Sequence, residues 1–574
     1  MPSFRILSVV ALLAAGLAAR AAGDILVTNG GASYSVEAFH DGANGDVQPS
    51  PVIAGNSTDL NLPDGLDVDP VHGEIYVPSD FGDRIDVFPI GATGDITPLR
   101  SIVGPHTGLH EPAAVFVDLV HDEIVVGNFN SSSTNNGVGS VTVYPRAAGG
   151  DVAPLRTIVG PAAKLSYVSG LAADPATGEI FVTSQGNPGG VLVFARTANG
   201  DVAPKRILSG SSTGLVNPYG VTVDAARGEL WVSDRTGAVS AFAETAGGNV
   251  APLRRIAGSA TLLGTGETLG VKVLNDHEIV VASPGNGGND YSDDSLLVFA
   301  RTANGNVAPI RRINGPHTGI SGPVGVAVYH RPLIVEGGRF AIEAAWETAS
   351  DAGGGTPTVL GGDTGDFWFF TSTNIEAVAK VLDGCGTNQR FWFFAGGLTN
   401  VYTSLQVTDL ATGKVRRYAN PQGTAFQPIQ DTSAFATCGA AATAPSAVEP
   451  VATPELPRSV APSCSGLCLD NGRFQVSASF QTPQGQSGAA HTVALTTDTG
   501  YLWFFSAANV EAVVKVLDGC GVNGKYWVFA GGLTDVHVDL TVLDTAHGTS
   551  VVYHNPQGTA FRPIQDTAAF ATCP

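Results

Sequence analysis

Short runs of alternating apolar and polar residues, divided by Gly, Asp and Asn, follow one another along the chain as far as residue 331. Residues 217–258 show the pattern clearly, with the runs GVTVD, GELWVSD, AVSAFAE and PLRRIAG. Alternation with a period of two between turn residues predicts four short antiparallel β-strands. A single sheet of this size cannot bury both of its faces, so the pattern predicts several stacked copies.

Copies of this four-strand unit fill the first part of the chain. The motif G-(D/N)-(V/I)-x-P recurs at Gly45, Gly94, Gly150, Gly200, Gly248 and Gly305. The first strand of the unit recurs as GLDVD (65–69), AVFVD (114–118), GLAAD (170–174), GVTVD (220–224), GVKVL (270–274) and GVAVY (325–329). Spacings of 48 to 57 residues between successive motifs are typical of the blades of a β-propeller.

The two ends of the repeat array complement each other. It opens with ILVTN (25–29), SVEAF (35–39) and PVIAG (51–55), which match the second, third and fourth strands of a unit, and it closes with GVAVY, a lone first strand. Pairing these fragments completes one blade and leaves no sheet edge open. The sequence therefore predicts an all-β chain with a six-bladed β-propeller over residues 24–331.

The blades resemble the NHL-repeat family. Its pattern of P-x-G-(I/V)-x-V-D, then G-x-(I/L)-(Y/W)-V-x-D, then a strand ending in V-F, is met from Pro218 to Phe242 and from Pro63 to Phe88. The resemblance covers about half of the chain and implies a propeller fold. It leaves the activity open, because similar propellers serve as ligand scaffolds, lactonases and lyases.

A different duplication follows the propeller. Residues 338–438 return at 472–573 with an offset of 134 or 135 positions, for example as VAKVLDGCG and VVKVLDGCG. Alternating runs and Gly/Asn/Pro turns predict two small antiparallel β-sandwich modules, at 336–438 and 463–574, which resemble an uncharacterised secreted bacterial module. An immunoglobulin-like strand order is one alternative for them. The segment NVEAVVKV is predicted as a strand, because it is rich in Val and precedes a DG turn. Residues 439–462, rich in Ala, Pro, Ser and Thr, are predicted to form a flexible linker.

The N-terminus and the overall charge indicate the compartment and exclude some partners. Arg5, an apolar run from Ile6 to Ala19 and a small residue at Ala21 predict a secretory signal peptide over residues 1–21. No later stretch is predicted to span a membrane, so we expect a secreted, periplasmic or cell-surface product. The formal net charge of −21 argues against nucleic acid as a partner.

All six cysteines lie in the C-terminal modules, and an even number in an exported chain favours disulfides over metal-binding or catalytic thiols. Cys385 and Cys438 are 53 residues apart, and so are Cys520 and Cys573, at equivalent places in the two copies. Equivalent modules are expected to form equivalent bridges. This leaves Cys464 to pair with Cys468.

Polar residues that break the repeat are the candidates for a functional site. Loops that lead into the first strands, and loops that join the second and third strands, emerge on one face of a propeller. The candidates on this face are His106, His110, Glu111, Asp64, Tyr167, Asn217, Tyr219 and Glu267. Carboxylates with an Asn or a His around a central mouth suit Ca²⁺ or another divalent cation, and the set resembles that of metal-assisted lactonases of the gluconolactonase type. The alternative interpretation is a solvated polar rim. Because His106 and His317 share the sequence GPHTG, they are also in part a feature of the repeat.

The central channel is predicted from the first strands. Their second and fourth positions are apolar, whereas the position between them varies and includes Asp67 and Lys272. Period-two alternation places this variable position toward the channel. We therefore expect Asp67 and Lys272 to line the channel and to neutralise each other in part.

Two classes of function remain open on the sequence. The first is a secreted, non-catalytic binding or scaffold protein that presents its propeller face to an extracellular protein, a glycan or a small ligand. The second is a metal-dependent propeller enzyme, a lactonase or lyase, using Asp64, Glu111, Asn217 and Glu267 or some of them. Binding is favoured because no nucleophile, base or complete ligand set is recognisable, and because two appended sandwiches suit a surface-interaction protein.

Overall fold

A computed structural model of the chain describes residues 23–131, 137–186, 189–264, 268–285, 291–440, 466–507 and 509–574. The predicted signal peptide, Glu267, Cys464 and nearly all of the predicted linker lie outside these residues. Within them, no helix is both long enough and apolar enough to cross a lipid bilayer.

Up to His330, the described residues form 24 short strands. In chain order they are β1 Gly23–Asn29, β2 Ser35–His40, β3 Val52–Ala54, β4 Asp67–Asp69, β5 Glu74–Ser79, β6 Arg84–Pro89, β7 Arg100–Ile102, β8 Pro112–Asp118, β9 Glu123–Asn128, β10 Ser140–Pro145, β11 Arg156–Ile158, β12 Val168–Asp174, β13 Glu179–Ser184, β14 Gly190–Ala195, β15 Arg206–Ser209, β16 Pro218–Asp224, β17 Glu229–Asp234, β18 Ala238–Ala243, β19 Arg254–Ala257, β20 Val271–Val273, β21 Glu278–Ser283, β22 Ser295–Ala300, β23 Arg311–Ile313 and β24 Pro323–His330.

These strands form six four-stranded antiparallel sheets, the blades of a β-propeller. Blade 1 has the order β24-β1-β2-β3, so the last propeller strand pairs with the first, as the ends of the array predict. Blades 2 to 6 each use four consecutive strands, from β4–β7 to β20–β23. The apolar clusters lie between neighbouring blades; one of them joins Phe181 of blade 4 to Phe242 of blade 5. The propeller core is therefore divided among the blade junctions.

The repeated G-(D/N) motif connects neighbouring blades. The N–H of Gly200, in blade 4, donates to the carbonyl of Thr157 in blade 3, and the Asp201 carboxylate accepts from the N–H of Ala162 at 2.6 Å. Gly160 sits under this carboxylate with φ of 128°, where an added Cβ would lie 2.5 Å from the Asp201 Cγ. The same contact recurs at each of the six junctions, including the one at which Asp46 of blade 1 meets blade 6. The motif that marks the repeat in the sequence therefore also closes the ring.

The His106 side chain belongs to one of these junctions. Its Nδ1 lies 2.6 Å from Asp151 Oδ2, and His317 and Asp46 repeat the pair at the junction of blades 6 and 1. The shared GPHTG sequence thus has a structural explanation.

Replacement of Asp201 by alanine is expected to lower the free energy of unfolding by about 1 kcal/mol, because the backbone N–H groups of Ala162 and Ala163 lose their acceptor. Replacement by asparagine should be nearly neutral, because Asn249 and Asn306 accept the equivalent bonds at the next two junctions. Urea denaturation of the two variants measures the difference. Equal losses for alanine and asparagine would show that charge, and not hydrogen bonding, holds the junction.

In the C-terminal modules, the described residues form a further 20 strands and two short α-helices. Module 1 contains β25 Leu333–Val335, β26 Phe340–Glu347, β27 Ala352–Gly354, β28 Thr356–Val359, β29 Thr364–Trp368, β30 Ile375–Gly384, α1 Cys385–Asn388, β31 Arg390–Gly397, β32 Tyr402–Asp409, β33 Lys414–Asn420 and β34 Ile429–Phe435. Module 2 contains β35 Leu467–Leu469, β36 Phe474–Gln481, β37 Ser487–Ala489, β38 His491–Ala494, β39 Thr499–Trp503, β40 Ala512–Gly519, α2 Cys520–Asn523, β41 Lys525–Gly532, β42 His537–Asp544, β43 Thr549–Asn555 and β44 Ile564–Phe570.

Each module consists of two five-stranded sheets with an apolar core between them. In module 1 the sheets are β25-β26-β32-β33, with β27 on β26, and β28-β29-β30-β31-β34; module 2 repeats both. Four consecutive strands lie side by side in the second sheet, which differs from the immunoglobulin order of ABED and CFG. The NVEAVVKV segment enters strand β40, as predicted. The first strand of module 1 begins at Leu333, ahead of the predicted boundary.

Disulfides fasten the end of each module to its helix. Cys385 is bonded to Cys438 and Cys520 to Cys573, which are the two long-range pairs expected from the equal spacing. The predicted Cys464–Cys468 bridge involves a residue outside the described part of the chain. Each module thus has its own core and its own bridge.

Candidate functional site

The mouth face is the end of the propeller at which the loops from second to third strands and the loops leading into first strands emerge. Asp64 leads into β4 of blade 2, and Tyr219 lies at the start of β16 of blade 5, on the opposite side of the ring. The Tyr219 hydroxyl donates to Asp64 Oδ1 at 2.7 Å. This bond joins opposite blades and bridges the mouth.

Burial governs the charge of this pair. It raises the pKa of Asp64 to about 8, although the bond from Tyr219 and the nearby Arg235 oppose the rise. Burial also raises the pKa of Tyr219, and the Arg235 guanidinium lies 5.8 Å from the centre of its ring. At neutral pH the Asp64 carboxyl is therefore largely protonated, and its role here is that of a hydrogen-bonding partner and not of a free anion.

Asp80 and Asp83, in the loop between β5 and β6, extend the acidic part of the mouth. Burial, with Glu111 and Asp83 nearby, raises the pKa of Asp80 to about 7. The backbone N–H of Glu111 donates to Asp83 Oδ1 at 2.7 Å, and the Glu111 carboxylate accepts from the Ser131 hydroxyl at 3.0 Å. Neither aspartate was predicted from the sequence, although both lie in a loop between a second and a third strand, the type of loop expected on this face.

The other candidates are spread around the ring. The His110 side chain is exposed, and its backbone N–H donates to Asn128 Oδ1 at 3.1 Å. The Asn217 backbone N–H donates to Asp234 Oδ2 at 3.0 Å. The Tyr167 ring packs against Phe129 with 5.2 Å between centroids. The structure thus joins Asp64 to Tyr219 and brings Glu111 beside Asp80 and Asp83, without collecting the full predicted set at one point.

Among the described residues, no group of three or more His, Cys, Asp or Glu side chains is arranged to hold a metal ion. Glu267, the fourth member of the predicted ligand set, lies outside these residues. Asp64 and Glu111 are already engaged by Tyr219 and by Ser131.

The predicted channel residues meet nearer the other end of the propeller. Lys272 Nζ, in blade 6, donates to Asp67 Oδ1, in blade 2, at 3.1 Å. The second oxygen of Asp67 accepts from the N–H of Val117 in blade 3 at 2.9 Å. The pair therefore connects the inner strands of three blades.

Module 1 covers the propeller face opposite the mouth. The Tyr402 hydroxyl donates to Asp276 Oδ2 at 3.1 Å, and Arg417 makes ion pairs with Asp276 at 3.2 Å and with Asp224 at 3.4 Å. His277 lies 2.9 Å from Glu347. Between the inner strands and the module is a cavity of ≈ 200 Å³, lined in part by Lys272, His330, Glu343, Ser404, Gln406 and Arg417. Module 1 thus packs against this end of the propeller.

Large apolar side chains project from the loops of the mouth face. We call them the apolar rim, and they are Phe81, Val138, Val216 and Leu262. Phe81 is 67% exposed and Val216 is 65% exposed, on blades 2 and 5. The apolar rim lies on the same face of the propeller as the Tyr219–Asp64 bridge.

Comparison with known proteins gives distant likenesses of shape. No protein-family model matches the sequence, and no curated protein matches it. A chain in a crystal structure of a nidogen/laminin complex is similar with a TM-score of 0.38 and 13% identity, over 54% of this chain and 99% of that one. A putative 6-phosphogluconolactonase from Bacteroides uniformis is similar with a TM-score of 0.36 and 16% identity, over 63% of this chain and 92% of that one. At these scores neither likeness bears on function, and the fold rests on the strand topology.

Proposed function

We propose that the chain is an exported, non-catalytic binding protein whose mouth face docks an extracellular protein. The observation that carries the proposal is the contrast between the two propeller faces. Module 1 covers one face through Tyr402 and Arg417, whereas the other presents the apolar rim to solvent.

The chemistry of the mouth face supports a protein partner. Exposed large apolar side chains that cluster within a polar surface mark protein interaction sites. Asp83 and Glu111 add negative charge beside the apolar rim, so the surface suits a partner with apolar anchors and basic groups. The Tyr219–Asp64 bond braces the centre of this surface, which reduces the ordering that binding requires.

Export is part of the same proposal. The first 21 residues have the sequence of a secretory signal peptide, and the two disulfides of the modules suit an oxidising compartment. An extracellular protein is accordingly the class of partner that the mouth face would meet.

The test measures binding by the full-length mature chain and its variants. The partner is first identified by photo-crosslinking from a residue at position 81, and its affinity is then measured by calorimetry. Phe81→Asp is expected to weaken binding by about 30-fold, the effect of losing an interface anchor of about 2 kcal/mol. The matched control is Leu253→Asp, because Leu253 is 58% exposed but precedes the outer strand of blade 5, away from the mouth. The control should bind like the unmodified chain.

The enzyme alternative is tested in parallel. The mature chain is assayed on a panel of lactones with and without Ca²⁺, together with Asp64→Asn. Metal-dependent hydrolysis that is lost in Asp64→Asn would replace the binding proposal with the lactonase alternative. Equal losses of binding in Phe81→Asp and Leu253→Asp would also contradict a docking site on the mouth face.

A further inference from the structure

Two buried lysines join module 1 to module 2 by reciprocal contacts. Lys380 Nζ, on β30, donates to Asn509 Oδ1 at 2.5 Å and to the carbonyl of Val510 at 3.0 Å. Lys515 Nζ, on β40, donates to Asn374 Oδ1 at 2.6 Å and to the carbonyl of Ile375 at 3.0 Å. Each lysine lies 135 positions from its counterpart, and so does each of its acceptors.

The backbone contacts of the two modules are reciprocal as well. An added Cβ on Gly396 would lie 3.2 Å from the Gly532 carbonyl oxygen, and one on Gly531 would lie 2.9 Å from the Gly397 carbonyl oxygen. Strands β31 and β41 therefore cross at close range, which glycine permits. At the edge of the contact, Gln430 donates to the carbonyl of Thr534 at 3.3 Å, and Gln565 donates to that of Thr399 at 3.1 Å.

An apolar cluster between the modules is built largely from equivalent positions, with one difference: Tyr501 of module 2 belongs to it, whereas module 1 has the buried Asp366 at that position. It contains Ile375, Val378 and Leu398 of module 1 and their counterparts Val510, Val513 and Leu533 of module 2. Trp368 and Phe394 pack against it together with their counterparts Trp503 and Phe529. This cluster is separate from the core of either module. We call the surface of each module that contributes to it the pairing face.

Reciprocity of this kind is the signature of an isologous interface, in which the same patch is used on both sides of a two-fold axis. Burial of a lysine is unfavourable unless its donors are satisfied, and burial lowers the pKa of Lys380 and of Lys515. Each ammonium is satisfied by an Asn and a backbone carbonyl, and Glu376 lies 3.8 Å from Lys515. A misaligned partner would leave both lysines unpaired, so the pairing face selects its own complement.

We propose that the pairing face is a self-association surface and that its partner is a second copy of the same module. In this chain the tandem duplication supplies that copy. Module 1 itself carries the hydrogen-bonding and backbone groups that its pairing face contacts on module 2: the Asn374-Ile375-Glu376 segment, the Gly396-Gly397-Leu398 segment and Lys380. A module 1 without module 2 therefore pairs with module 1 of another chain.

The first test uses a chain that ends at Ala440. This chain keeps all six blades, both sheets of module 1, its core and the Cys385–Cys438 bridge, so no element that folds module 1 is removed. Light scattering after size exclusion is expected to give twice the mass of one chain. Lys380→Glu should restore the monomer, because the new carboxylate would face the Glu376 carboxylate of the other copy.

Lys414→Glu is the matched control for the shortened chain. Lys414 is exposed on β33 of the other sheet, so the same change of charge should leave the dimer intact. Lys380 becomes solvent-exposed in the separated module, so its substitution should not impair folding. A folded, monomeric shortened chain would overturn the proposal, and so would equal effects of the two substitutions.

A second test uses full-length chains and applies even if the shortened chain does not fold. One chain carries Lys380→Glu and Lys515→Glu, and the other carries Glu376→Lys and Glu511→Lys. Each chain alone has two pairing faces of like charge and should remain an open monomer, whereas an equimolar mixture should form a heterodimer. A mixture that contains only monomers would overturn self-association, as would chains that stay closed despite the substitutions.

Discussion

Replacement of Arg339 by alanine is expected to lower the free energy of unfolding of module 1 by about 3–5 kcal/mol, the range for breaking a buried ion pair on one side. Arg339 is bound to Asp409, which is fully buried, through two hydrogen bonds of 3.2 Å. The same guanidinium donates to the carbonyls of Thr437 and Ala440 and lies 4.2 Å from the centre of the Phe391 ring. Alanine would leave the Asp409 carboxylate buried without a cation and would release the end of the module. Urea denaturation, followed by tryptophan fluorescence, measures the change.

Two further variants separate the ion pair from general packing. Arg339→Met combined with Asp409→Asn should lose less stability than Arg339→Ala alone, because no unpaired charge remains buried. Arg473→Ala should show a similar loss in module 2, where Arg473 binds Asp544 at 3.1 Å and lies over Tyr526. A double variant that is as unstable as the single one would show that the arginine acts through packing alone.

The propeller was predictable because the same sequence pattern recurs six times. Alternation located the strands of blade 5, and the split blade at the two ends predicted that β24 pairs with β1. Repetition also showed that the G-(D/N) motif belongs to every blade, although not what it does, because the contact from Asp201 to Ala162 joins residues 39 positions apart.

The assembly of the modules could not be predicted from strand patterns alone. In β30, period-two alternation places Glu376, Val378 and Lys380 on one side, and Ala377, Ala379 and Val381 form part of the core on the other. A lysine within a strand that is apolar on both sides signals a second buried face. Its partner, however, is 129 positions away in another module, and nothing local in the sequence identifies it.

The mouth face was predictable in its location more than in its chemistry. The topology of a propeller places Asp64 and Tyr219 at the same end of the ring, but their bond depends on blades 2 and 5 lying opposite each other. Asp80 lies in a loop between a second and a third strand, which the topology assigns to this face, but the rise in its pKa comes from burial and from the neighbouring Glu111, which no spacing in the sequence reveals.

The stability of the propeller is expected to fall as the pH rises from about 4 to about 8. Burial raises the pKa of Asp24, Glu37, Asp80 and Glu244 to about 7, and that of Asp64 to about 8. In the unfolded chain such groups titrate near pH 4. Between these values the folded state holds more protons than the unfolded state, so their stabilising contribution is complete below about pH 4 and is lost as the pH rises through the folded pKa.

Carboxylates in ion pairs have the opposite pH dependence, and they limit the stability of the propeller at acid pH. Arginines of the outer strands and of the next blade lower the pKa of Glu74, Glu123 and Glu229 despite their burial. Their contribution is present above the unfolded pKa and is lost as the pH falls below about 4. The two groups of carboxyls together predict maximal stability of the propeller at about pH 4 to 4.5.

Glu244→Gln is expected to raise the stability of the propeller by about 1–2 kcal/mol at pH 8 and to leave it nearly unchanged at pH 5, because the raised pKa of Glu244 reflects the free energy of charging it. Glu244 is buried beside Asp174 and near Glu179, at the position where other blades carry Arg146, Arg196 or Arg301. Above pH 7 the Glu244 carboxylate therefore faces like charge, which the nearby Arg206 offsets only in part. Glu123→Gln is the matched control and should destabilise at both pH values, because it breaks the pairs with Arg156 and Arg196. The midpoints of urea denaturation of the unmodified chain and of both variants, at pH 5 and at pH 8, measure these changes in stability. A gain from Glu244→Gln that is equal at both pH values would show that side-chain shape, and not the buried charge, limits stability at this junction.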